Sequence, residues 1–279
     1  MQKPQTSKAQ MLEETADNKT TESENIMILE FDGHKPQEFD NHKPQEFESH
    51  KPQEFDNHKP QEFESHTPLE FVNHKPQEIE GRSFEIIGQE LAAAGLSLDP
   101  KFEPIIKRVI HTTADFSYAE SLIFSPHVVT QALRALEAGA TIVTDTNMVK
   151  AGINKPALAQ LGGQIVCYIS DPEVSTRAKA DGSTRAVAAM AKATELEGPL
   201  IFAIGNAPTA LKAVVDLHQA GLLCPELVIG VPVGFVNVVE AKELLIASDL
   251  PYIVNRGRKG GSNVAAAIVN ALMYLLTRK

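Results

Sequence analysis

The chain has 279 residues and a formal net charge of −10, from 26 Lys+Arg against 36 Asp+Glu. Eight of those cations and eighteen of those acids fall within residues 1–80, so the rest of the chain carries eighteen of each sign and is neutral. That balance argues against a nucleic-acid-binding domain, which needs a basic surplus, and no apolar run of about 18 residues offers a membrane span.

The polar start, MQKPQTSKAQ, has no signal-peptide core, so a cytoplasmic location is expected. Residues 34–81 then form six octapeptides: HKPQEFDN, HKPQEFES, HKPQEFDN, HKPQEFES, HTPLEFVN and HKPQEIEG. A step of eight suits neither a helix face nor a buried strand, and the recurring proline forbids a continuous helix. With little apolar surface to offset chain entropy, the tract is expected to be disordered or extended. Six of the nine histidines (His34, His42, His50, His58, His66, His74) recur in it beside glutamates, a dilute set of metal ligands with nothing to hold their geometry. The chain therefore divides into a tail, residues 1–78, and a folded domain, residues 79–279.

From Gly81 onward about 199 residues, ample for one α/β domain, alternate helix and strand patterns. Phe84–Ala94 reads as a helix ended by Gly95, and Phe102–Ala114 as a second. After a short strand at Leu122–Phe124, Ser125-Pro126 supplies an N-cap and first-turn proline for a helix to Glu137. Further strands are expected at Thr141–Thr144, Ile165–Ile169, Leu200–Ile204, Leu227–Val231 and Tyr252–Val254. The helices between and after them are Thr184–Leu196, Pro208–Ala220, Val238–Ala247 and Asn263–Leu276. This alternation predicts a three-layer α/β/α domain with a mostly parallel sheet, whose ligands bind where strands end. Cys167 and Cys224, beside apolar residues, read as reduced core residues.

No dinucleotide turn and no GxxxxGK(S/T) loop occurs, which lowers the case for a nucleotide cofactor. Three strand-end segments are unusual instead: Gly205-Asn206-Ala207-Pro208-Thr209-Ala210, Gly230-Val231-Pro232-Val233-Gly234-Phe235, and Arg256-Gly257-Arg258-Lys259-Gly260-Gly261-Ser262. Glycines there admit a ligand to the backbone, and the cations of the last segment suit carboxylates or phosphates. Arg185, a cation at a helix start, also points to an anionic partner. Asp145 and Asp171 end strands and suit either a ligand contact or helix capping. His127 and His218 read as helix-surface or helix-terminal residues.

The strongest candidate for proton chemistry is His111. Phe102, Ile105, Ile106, Val109, Ile110 and Thr113 make one apolar stripe at about 100° per residue, and His111 lies on the opposite side. Lys107 and Arg108 precede it by four and three positions, with no acid on their turn. A polyanion docking there would favour the protonated imidazole and convert a base into a proton donor.

Taken together, these segments resemble the precorrin-8X methylmutase family of cobalamin biosynthesis. The matching stretches include Ile79-Glu80-Gly81-Arg82-Ser83-Phe84-Glu85-Ile86-Ile87, Arg108-Val109-Ile110-His111, Phe124-Ser125-Pro126, Thr144-Asp145 and Ser183-Thr184-Arg185. They continue through Ala203–Ala210, Pro232-Val233-Gly234-Phe235 and Gly257–Ser262. The resemblance implies a flavodoxin-like homodimer that moves a methyl group from C-11 to C-12 of a tetrapyrrole (corrinoid) ring. It implies His111 as the catalytic histidine, protonating the macrocycle near ring C, with Ser83, Arg108 and Arg185 as substrate contacts. Asn206, Thr209, Gly260, Gly261 and Ser262, on the matching strand-end segments, complete the expected substrate site. No external cofactor, resident metal, nucleic acid or membrane is implied. Two other readings stand beside it: a tetrapyrrole carrier using the same pocket without catalysis, and a metal-handling protein acting through the histidine repeats. Because HKPQEIEG runs straight into the family-like start, the repeats read as duplications of that leading octapeptide.

Overall fold

Alternation of helix and strand persists through residues 76–278, the part that the computed structural model describes. Helix α1 (Pro76–Ala93) leads to α2 (Glu103–Thr113), the short α3 (Tyr118–Ser121) and strand β1 (Leu122–Phe124). Then come α4 (Val128–Glu137), β2 (Thr141–Thr144), α5 (Asn147–Gly152), α6 (Lys155–Gln160) and β3 (Gln164–Val166). Next are α7 (Pro172–Ala180), α8 (Arg185–Lys192), β4 (Leu200–Ile204), α9 (Pro208–Gln219) and β5 (Leu227–Gly230). The last three elements are α10 (Val238–Ile246), β6 (Tyr252–Asn255) and α11 (Ser262–Thr277).

The sheet has the order β1-β6-β5-β4-β2-β3. All neighbours pair in parallel except β1, which runs antiparallel along the edge of β6. Without that edge strand the winding is flavodoxin-like, and it reverses between β2 and β4. Every residue of β4 and β5 is buried, so these strands read as unbroken apolar runs. One core packs α1, α2, α4, α5, α6 and α11 on one face, and a second packs α7 to α10 on the other. Helix α11 is apolar on most sides because α2, α4, α5 and the sheet all press on it; nine of its residues are buried.

The expected strands and the two-sided helical cover are present, and several boundaries differ for physical reasons. The first helix starts at Pro76, eight residues before Phe84, inside the last octapeptide. A proline at the first helical position gives up only an N–H that has no helical partner, so this unit can open a helix. The earlier octapeptides lie outside the described residues. Helix α4 starts at Val128 after His127, which adopts a left-handed φ of 61°. Ser125 does not cap it. Its buried hydroxyl accepts from the Tyr252 N–H at 2.9 Å, fastening β1 to β6. Helices α3, α5, α6 and α7 were hidden by their shortness or polarity. Cys224 is exposed and Cys167 half-buried, so neither is a core residue; Leu223 and Pro225 turn inward around Cys224 instead.

Candidate active site

Helix α2 carries His111 as the pattern requires. Ile105, Ile106, Val109 and Ile110 are buried, and His111 is exposed in the last turn. Its imidazole meets the Phe84 ring of α1 edge-on, with centroids 5.5 Å apart. Among the described residues no hydrogen bond or ion pair holds it, so both ring nitrogens remain for a ligand. The imidazole opens onto a cleft of about 330 Å³ between α2, α5 and α11, whose lining includes Arg108, Asn263, Ala266, Asn270 and Tyr274. Small residues make room there: a Cβ at Gly152 would sit 2.8 Å from Ala266 Cβ.

The two cations before His111 are not free, contrary to the reading of α2 alone. Lys107 pairs with Glu103 one turn earlier at 2.6 Å. Arg108 pairs with Glu80 of α1, which also holds Arg278 at 2.7 Å. These arginines hold the Glu80 carboxyl below its usual range, the Arg108 hydrogen bond being the largest cause. The Arg108 guanidinium lies over both Phe84 and Tyr274, 4.7 and 5.0 Å from their ring centres. It is therefore a held, partly neutralised cation at the cleft wall. Ser83 binds its own helix, donating to Ile79 O at 2.8 Å.

A second cluster sits at the carboxyl ends of the strands, where the winding reverses. Asp145, after β2, is almost fully buried and accepts N–H bonds from Gly205, Asn206 and Ala207 at 3.0, 2.8 and 2.7 Å. Burial pushes its carboxyl up and the three N–H donors pull it back. Asp145 thus clamps the β4–α9 turn; Thr146 is the residue that caps α5, and Asp171 caps α7. Gly205 admits α11 at close range, since a Cβ there would lie 2.7 Å from Ser262 Cα. Ser262 Oγ lies 3.1 Å from Thr146 Oγ1. Gly260, at φ 154°, passes so near Val231 O that no side chain fits. Gly261 N–H donates to that same carbonyl at 2.9 Å.

The first turn of α11 joins the two clusters, with Ser262 at the strand ends and Asn263 in the His111 cleft. Arg185 and Thr209 gather elsewhere. Arg185 opens α8, whose cap Thr184 donates to Thr209 at 3.3 Å, and Thr209 lines a separate cleft of about 400 Å³ beside α10. Asn206 is exposed at the turn that Asp145 holds. His218 bridges Leu223 O and Asp249 at the far end of α9.

Sequence reasoning missed Lys242. It lies on the buried stripe Val238, Ala241, Lys242, Leu245 of α10, and a lysine at that spacing was the available signal. Its ammonium, fully buried, donates to Asn255 Oδ1, Gly257 O and Lys259 O at 3.3, 2.8 and 2.7 Å. Burial pushes it down to about 8. Among the described residues no three His, Cys, Asp or Glu side chains converge as a metal site, and no helix is long and apolar enough to cross a membrane.

This arrangement has known counterparts. The profile of the precorrin-8X methylmutase family matches residues 78–275. A cobalt-precorrin-8 methylmutase of Salmonella typhimurium is 48% identical over 201 residues, covering 71% of this chain and 94% of the relative. One from Priestia megaterium is 45% identical over 196 residues, covering 70% and 86%. The crystal structure of a precorrin-8X methylmutase from Thermus thermophilus superimposes with a TM-score of 0.66 at 44% identity, over 71% of this chain and 95% of the other. Two clusters joined through one helix start, on a flavodoxin-like sheet, thus accompany a match across nearly all the described residues: the chain belongs to the precorrin-8X methylmutase family.

Proposed function

We propose that this protein is the corrin-ring methylmutase of cobalamin biosynthesis, moving a methyl group from C-11 to C-12 of precorrin-8 or its cobalt form, with His111 as the acid/base. The observation that carries the role of His111 is its setting: an imidazole with no hydrogen bond or ion pair among the described residues, facing a cleft whose wall holds Arg108. One C–C bond breaks and another forms, and the electrons redistribute within the ring. The imidazolium lends a proton to the macrocycle and takes it back, so the step is redox-neutral and consumes no co-substrate. Arg108, held against two aromatic rings, offers a peripheral acetate or propionate a fixed partner; Ser83, Asn206, Gly260, Gly261 and Ser262 are the further proposed contacts, with Arg185 and Thr209 proposed at the separate cleft beside α10. The protein acts in the cytoplasm as a homodimer, and the residues before α1 take no part in the chemistry.

His111→Ala tests this, followed by absorption spectra of the conversion of precorrin-8 and cobalt-precorrin-8. Turnover is expected to fall by about 10²–10⁴-fold, the usual worth of a positioned acid/base, while the substrate still binds. Unchanged turnover would remove the acid/base role. Absent turnover in the unaltered protein, with binding intact, would favour the carrier.

A further inference from the structure

The charged side chain buried most completely among the described residues is Lys242, and no carboxylate meets it. A buried ammonium is tolerated when each of its three donors finds an acceptor, and here three acceptors converge. Two of them are carbonyls of the turn that opens α11. Asn255 reinforces the arrangement, its Nδ2 donating to Lys259 O.

Peptide geometry gives this inward pull an outward consequence. The peptides are trans, so each carbonyl and the following N–H point in opposite directions. With Gly257 O and Lys259 O drawn to Lys242, the N–H groups of Arg258 and Gly260 face away from it. Neither N–H donates to a protein acceptor among the described residues. The turn's other side is bolted to the β5 end through Gly234 N–H to Arg258 O at 3.2 Å and Gly261 N–H to Val231 O. The exposed Arg258 guanidinium stands over Phe235, 5.5 Å from its centre. Two N–H groups turned away from Lys242, on a turn that also carries the Arg258 guanidinium, suit a carboxylate.

We propose that Lys242 is a positioning residue for the methylmutase: its buried ammonium holds the Gly257–Ser262 turn in the shape that receives a peripheral carboxylate of the corrinoid. This rests on the function proposed above. An apolar side chain of equal length would fill the same space but leave Asn255 Oδ1 and Gly257 O unmet and Lys259 O with Asn255 alone, freeing the turn to rotate its peptides. Lys242 therefore acts on binding, through the turn, while His111 acts on the chemical step.

Lys242→Met and Lys242→Gln in the full chain, compared with the unaltered protein, test this by two readings. The first is cleavage by trypsin, because Arg256, Arg258 and Lys259 are exposed and a clamped turn resists entry to a protease. Cleavage at Arg258 and Lys259 is expected to quicken by about tenfold relative to other sites. The second is steady-state kinetics, where KM for precorrin-8 rises by about tenfold and kcat stays within about threefold. A folded variant with unchanged cleavage and KM overturns the proposal, as does a fall in kcat with KM unmoved. Failure of the unaltered protein to convert precorrin-8 would sink the proposed function itself, whereas trypsin reads the clamp without substrate.

Discussion

Glu80 binds two arginines that lie 28 and 198 residues away from it in the chain. Because Arg108 and Arg278 lower its carboxyl below the ordinary value of 4.5, the unfolded chain takes up that proton first as pH falls. The linked stability is thus fully present above about pH 4.5 and is lost as pH drops through the lower folded value. Glu80→Gln is expected to cost on the order of 1 kcal/mol at pH 7, with a smaller gap to the unaltered protein at about pH 4, below the ordinary carboxyl value. Urea denaturation at both pH values reads this, and an equal gap at the two would refute the pairing as its source. Local pattern made the exposure of His111 legible, because one stripe of α2 decides it. Arg108 was misread as unpaired because its acid comes from another helix, beyond any periodicity.

At the scale of elements, the close approach of β4 to the start of α11 decides whether the two side-chain clusters meet. Gly205 makes that approach feasible, with Ser262 Cα, Gly261 O and Ser262 N all within 2.9 Å of where its Cβ would be. All three are backbone atoms and cannot swing aside. Gly205→Ala is expected to destabilise by about 1–3 kcal/mol, the range for overpacking, and to raise KM because Ser262 at the start of α11 shifts from Thr146. A denaturation midpoint within error of the unaltered protein would show that the helix start is not seated this tightly. The glycine-rich turns were legible as ligand-facing strand ends. That one of those glycines seats a helix, and that Asp145 clamps a turn 60 residues onward, depended on which strands became neighbours.

For the whole molecule, the last octapeptide supplies the start of α1, from Pro76 to Gly81. Deleting residues 1–73 is expected to leave the denaturation midpoint and turnover unchanged, since α1 remains whole. Deleting residues 1–81 removes Glu80 with the first six residues of α1, and stability should fall by more than in Glu80→Gln. A large loss of turnover in the shorter deletion would overturn the view that the repeats are dispensable. The sequence by itself determined the alternation of strands and helices, the buried stripes, the outward face of His111 and the family resemblance. Each follows from periodicity or from short runs of neighbouring residues. Only the tertiary structure decided the antiparallel edge of β1, the neutralisation of Arg108, the Asp145 clamp, and the burial of Lys242 beneath its turn. Those contacts join residues on different elements, and sheet order and helix packing choose their partners.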